Sequence, residues 1–141
     1  MQLRDLMKNI HFTGNPDDRE ISAISYDSRK VKPGTLFVAI SGMQTDGHHF
    51  ISQAIENGAV AILSNGRGSD IKTVPILQVK DPRLAMSHIS AQFYGNPSMN
   101  MNVVGVTGTN GKTSITHILH HILQKSGSSC GMLGTLGFRT P

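Results

Sequence analysis

Val103-Val104-Gly105-Val106-Thr107-Gly108-Thr109-Asn110-Gly111-Lys112-Thr113-Ser114 is the stretch that decides the fold class. An apolar β-branched run enters a short polar turn with two glycines. The turn opens onto Ile115, Ile118, Leu119, Ile122 and Leu123, the apolar stripe of a helix from about Lys112 to Lys125. The spacing predicts a strand over 101–106, a loop, the helix, and a short strand near Gly131-Met132-Leu133. That order is one βαβ unit. Small residues between a strand and a helix let successive backbone N–H groups turn inward, and the helix start adds unpaired donors and a partial positive charge. Such a loop cradles phosphate. Lys112 supplies a mobile cation and Thr113 a hydroxyl suited to Mg²⁺. One position departs from the usual eight-residue pattern, where Val106 stands in place of the first glycine. The competing reading is a glycine turn before a helix with an incidental Lys-Thr pair.

Working outward, residues 1–98 alternate strand and helix patterns. Leu3, Leu6, Met7 and Ile10 have helical spacing, and 11–20 is a polar loop. Ile21 to Tyr26 and Leu36 to Ile40 read as strands, the second continuous enough to be buried on both faces. Phe50, Ile51, Ala54 and Ile55 form a helix that Gly58 stops; Ala59 to Leu63 and Pro75 to Val79 are further strands. Asp81-Pro82 is an N-cap with proline at the first helical position, and Ala85, Ile89 and Phe93 follow on one face. Gly95-Asn96-Pro97-Ser98 breaks the pattern. The expected division is therefore 1–98 and 99–141. A lone βαβ unit cannot bury both faces of a parallel sheet, so the chain reads as interrupted inside its second domain.

At 141 residues with 38% hydrophobic and 16% charged positions, the chain holds enough apolar material for a core. No window approaches eighteen apolar residues, and no secretory signal opens the chain. The one cysteine, Cys130, cannot form an internal disulfide, and a cytoplasmic address is expected. All nine acidic residues and ten of the 13 basic ones precede residue 99. Lys112, Lys125 and Arg139 alone charge the remainder, too sparse for a nucleic-acid stripe. No acid is available there to hold Mg²⁺.

Thr107 to Thr113 resembles the ATP loop of the Mur ligase superfamily, which includes folylpolyglutamate synthetases. Asp27-Ser28-Arg29, Val31-Lys32-Pro33-Gly34-Thr35-Leu36-Phe37-Val38-Ala39-Ile40, and Asp46-Gly47-His48-His49-Phe50-Ile51 resemble the uridine-nucleotide domain of MurE- and MurF-type members. Phe93-Tyr94-Gly95-Asn96-Pro97-Ser98 together with Gly108-Thr109-Asn110-Gly111 is similar to the MurE type in particular. The resemblance covers nearly the whole chain. It implies an α/β architecture: a small mixed-sheet domain binding the UDP-N-acetylmuramoyl substrate (1–98), then the truncated first βαβ unit of a P-loop ATPase domain (99–141).

The reaction implied is ATP-dependent amide-bond formation in peptidoglycan synthesis. Meso-diaminopimelate or L-lysine joins UDP-N-acetylmuramoyl-L-alanyl-D-glutamate through an acyl phosphate. Catalysis would rest on Lys112. ATP would lie on Gly108, Thr109, Asn110, Gly111, Lys112, Thr113 and Ser114, and Mg²⁺ on Thr113. Ser28, Met43, Gln44 and Thr45 would contact the uridine or sugar part. The resemblance places the acidic Mg²⁺ ligand, a carbamylated lysine and the diamino-acid pocket beyond residue 141, so this piece alone is expected to be inactive. No nucleic acid, no membrane and a monomer are expected. The alternatives are a non-catalytic uridine-nucleotide module, a MurF-type ligase, and a P-loop kinase or GTPase.

Other residues carry blander expectations. Ser28 stands where a hydroxyl can donate to a ligand, though Asp27 or Ser28 can equally cap the turn. Arg29 pairs with Asp27 or meets the diphosphate, and Asp46 holds its turn. A helical wheel puts His117, His120 and His121 opposite the Ile/Leu stripe, as surface histidines without a full metal-ligand set. Cys130 is expected to be buried and inert.

Overall fold

The computed structural model describes residues 1–42, 45–67 and 71–141. Met43 and Gln44 lie outside them. The chain divides into two compact units, Met1–Asn100 and Met101–Pro141.

The first unit is built on a four-stranded sheet: β1 (Ala23–Ser25), β2 (Thr35–Val38), β3 (Ala59–Ser64) and β4 (Ile76–Gln78), adjacent in that order. All three pairings are parallel. The α/β class stands as read, but the mixed sheet reduces to isolated antiparallel bridges such as Thr13↔Gln78 beside β4. Parallel strands need both faces covered, and β2 shows how the sequence meets that need. Every residue of β2 is buried. Leu36 and Val38 face a cluster with Leu3 and Leu6 of α1 (Leu3–Leu6) and Ala85 and Ile89 of α2 (Pro82–Phe93). Phe37 and Ala39 face the other side, against Ile51 and Ala54 of a helical turn over Ile51–Glu56. A continuous apolar run thus feeds two cores by period-two alternation.

Register between β2 and β3 slips once, with Thr35 opposite Ala59 and Leu36 opposite Ala61. Val60 is the extra residue. Its carbonyl accepts from the Arg19 guanidinium, which Asp17 holds through Nε at 2.6 Å and Nη2 at 2.5 Å. A bulge leaves a backbone group without its ladder partner, and this side chain supplies one.

The punctuation acts as the sequence predicts. Asp81 accepts from the N–H groups of Arg83 and Leu84 and caps α2, with Pro82 in its first turn. Gly58 has φ +102°, and an added Cβ would stand 2.9 Å from the Pro33 backbone, so only glycine ends that helical turn cleanly.

The second unit departs from expectation. Residues 101–106 form no strand, and Val103 and Val104 are 70% and 67% exposed. A parallel strand exists only by pairing with neighbours, and among the described residues of this unit none is offered. The helix α3 (Lys112–Lys125) forms over the predicted span. The strand after it does not close a βαβ unit. It becomes β5 (Met132–Gly134), paired antiparallel with β6 (Gly137–Arg139). The covered face of α3 matches the expected stripe only in part, with Leu119 and Leu123 half-buried. Ile115, Ile118 and Ile122 are more than half exposed, whereas His120 is buried and its Nε2 has no partner among the described residues. Cys130 is only partly buried, against expectation, because it precedes β5 instead of starting a covered strand.

Candidate functional site

Two sets of candidate residues exist, one in each unit. In the first, parallel pairing puts the C-terminal ends of all four strands on one edge of the sheet, where ligands of open α/β sheets bind. Ser28 leaves β1 and Thr45 leaves β2 at that edge.

Asp27 caps the 3₁₀ turn Ser28–Lys30 by accepting from the Arg29 N–H. Of the two proposed caps it is Asp27 that acts, and this leaves the Ser28 side chain for other contacts. The Arg29 guanidinium folds back on Asp27 at 2.8 Å. Its hydrogen bond pulls the Asp27 carboxyl down to about 2. Ser28 is 7% exposed. Its hydroxyl donates to Gln53 Oε1 at 2.7 Å, and its carbonyl accepts from Asn57 Nδ2 at 2.9 Å. Gln53 and Asn57 escaped sequence reasoning, because a partner 25 residues away leaves no local signal.

Asp46 organises the turn after β2, as expected. It accepts from the His48 N–H at 3.1 Å, the His48 ring at 2.5 Å, Ser41 Oγ at 3.2 Å and Arg67 at 2.7 Å. These bonds, the His48 side chain first, hold its carboxyl well below the ordinary carboxylate range. Thr45 is exposed, and its carbonyl accepts from the Gly42 N–H at 2.9 Å. A cleft of about 530 Å³ opens at the same edge, between Ser41, Asn65, Lys80 and Arg83, and its described lining includes neither Ser28 nor Thr45.

In the second unit, Gly108 to Ser114 are all exposed. Gly111 has φ +77° and provides the N-cap of α3 without any side-chain cap hydrogen bond. The first-turn N–H groups are therefore not claimed by a capping side chain, which is the state an anion requires. Gly108, at φ +147°, gives the loop its second backbone position that disfavours a side chain. Lys112 Nζ lies back over the loop and donates to the Gly108 and Thr109 carbonyls. Thr113 Oγ1 is 3.4 Å from Thr135 Oγ1. The loop's donors and cation fit a polyphosphate. Thr113 fits one position of a Mg²⁺ shell, and no cluster of three His, Cys, Asp or Glu among the described residues supplies more. His117 and His121 accordingly gather no ligand set with His120.

Comparison with known proteins identifies the family. Residues 20–94 match the Mur ligase family catalytic domain and residues 106–141 the Mur ligase middle domain. The chain belongs to the Mur ligase family. A UDP-N-acetylmuramoyl-L-alanyl-D-glutamate–2,6-diaminopimelate ligase from Syntrophomonas wolfei subsp. wolfei is 48% identical over 138 residues, 96% of this chain. The chain spans 28% of that relative's length. MurF from Acinetobacter baumannii superposes with a TM-score of 0.71 at 26% identity, covering 88% of this chain and 27% of that one. MurF ligase from Thermotoga maritima, in complex with ADP, gives 0.57 at 31% identity, covering 76% and 24%. No helix among the described residues is long and apolar enough to cross a membrane.

Proposed function

We propose that this chain carries the UDP-sugar-binding domain and the ATP loop of a diamino-acid ligase of peptidoglycan synthesis. The observation that carries the proposal is the N-terminus of α3 behind Gly108–Gly111, uncapped by any side chain, with Lys112 folded over the loop. Residues 1–98 would take UDP-N-acetylmuramoyl-L-alanyl-D-glutamate through Ser28 and Thr45; Met43 and Gln44, assigned to the same substrate, lie outside the described residues. Residues 99–141 would take the ATP phosphates on Gly108 to Ser114, with the Thr113 hydroxyl toward Mg²⁺.

In the reaction, the glutamate carboxylate attacks the γ-phosphorus and ADP leaves. The amine of meso-diaminopimelate or L-lysine then attacks the acyl carbon, and phosphate departs as the nitrogen gives up a proton. Lys112 would release its two carbonyls and follow the negative charge on the transferred phosphoryl group. Mg²⁺, when bound, neutralises charge on the phosphate oxygens. The diaminopimelate ligase relative supports the MurE-type reading. The superposed MurF structures motivate the second reading, in which the added group is D-alanyl-D-alanine, as in the name of one solved neighbour, a D-alanyl-D-alanyl ligase. A monomeric, cytoplasmic enzyme completes the proposal.

A chimera tests it. This chain would replace the matching 28% of the Syntrophomonas ligase. ADP release dependent on the UDP-dipeptide, a diamino acid and Lys112 supports the proposal. A folded chimera inert with the UDP-dipeptide and a diamino acid overturns it.

A further inference from the structure

We propose that Gln53 sets the hydrogen-bond polarity of Ser28, so that Ser28 accepts from an N–H or O–H group of the uridine-sugar ligand and does not bind its diphosphate. This rests on the reading that the first unit takes the UDP-sugar.

A serine hydroxyl has one proton and two lone pairs. At Ser28 the proton is committed to Gln53 Oε1 at 2.7 Å. The backbone is pinned from the same side, since Asn57 Nδ2 donates to the Ser28 carbonyl at 2.9 Å. With the residue 7% exposed, little room remains for the hydroxyl to reorient. What a ligand meets is a lone pair. Diphosphate oxygens at neutral pH are acceptors only, and two acceptors without a proton between them repel. A uracil N3–H, a sugar hydroxyl or an acetamido N–H each satisfies the lone pair. The expectation of a donating Ser28 is thereby reversed, and the cause is Gln53 on the helical turn Ile51–Glu56. Gln53 acts through Ser28, so it is a positioning residue.

A rotated Gln53 amide would have the opposite polarity, donating to Ser28 and freeing its proton for phosphate. Gln53→Glu separates the two cases. A carboxylate can only accept, so it fixes the Ser28 proton where this geometry puts it. Gln53→Met keeps the length and releases the proton, and Gln53→Ala does so if methionine disturbs folding.

The test titrates the 141-residue chain and its variants with UDP-N-acetylmuramoyl-L-alanyl-D-glutamate, read by amide chemical shifts that also report folding. Ser28→Ala should weaken binding about fivefold, the value of one hydrogen bond. Gln53→Met and Gln53→Ala should weaken it similarly, and Ser28→Ala/Gln53→Met no further than Ser28→Ala alone. Gln53→Glu should stay within about twofold of the parent chain. A purely structural glutamine predicts no such split between Glu and Met. Glu as weak as Met, or Met equal to the parent chain, overturns the proposal. If the parent chain itself fails to bind while folded, the UDP-sugar reading fails first, and the ligand role of Ser28 falls with it.

Discussion

The two units answer the same kind of sequence pattern in opposite ways. In the first, Ile51 and Ala54, or Ala85 and Ile89, recur at helical spacing and are buried against strands on either side of β2. In the second, Ile115, Ile118 and Ile122 recur just as regularly along α3 and stay exposed, Leu119 and Leu123 are half-buried, and His120 is covered. Periodicity establishes that a helix forms. Which face it hides depends on the surface it meets, and in the first unit that surface is a parallel sheet. A packed core and an exposed glycine loop therefore belong to different units.

Truncating a core side chain should widen that contrast most. Leu63→Ala in β3, fully buried, should cost about 2–5 kcal/mol in urea unfolding. Ile118→Ala, at 60% exposure, should stay within about 0.5 kcal/mol. Equal losses would break the comparison. Asp81→Ala comes next. It removes the acceptor for two N–H groups and should cost about 1 kcal/mol, seen as earlier amide exchange in α2. Lys112→Ala should leave stability within about 0.5 kcal/mol, because Nζ is exposed and meets only carbonyls, yet abolish phosphate-dependent binding of Mg-ATP by calorimetry. Unchanged ATP binding would move the site away from this loop.

The smallest effect concerns acid. The Asp27 carboxyl is depressed from 3.8 to about 2, first by the Arg29 side-chain hydrogen bond. A depressed carboxylate contributes stability above its unfolded value and loses it as pH falls through the folded value. The slope should therefore appear between pH 3.8 and about 2. Asp27→Asn keeps the cap acceptor but should flatten that slope; because Arg29 is solvent-exposed, the change should be small. An unaltered slope would remove Asp27 from the acid response.

Much of the first unit was legible because its signals are local. The run Leu36-Phe37-Val38 needs two covered faces, Asp81-Pro82 starts a helix, and Gly58 ends one. The glycine loop and α3 were legible for the same reason. Residues 101–106 misled because strand propensity is redeemed only by a pairing partner. His120 misled because a helical wheel assigns faces without knowing what packs there. The polarity of Ser28 was hidden in a contact with Gln53, formed only once β1, β2 and the intervening turns are in place.

The proposed division of labour between the units is tested most directly by one residue-resolved titration. Amide spectra of the 141-residue chain would be followed as UDP-N-acetylmuramoyl-L-alanyl-D-glutamate is added without nucleotide triphosphate. Shifts should centre on Ser28, Arg29, Thr45 and Gln53, with Gly108 to Ser114 unmoved. Shifts centred on the glycine loop, or none in the first unit, would contradict it.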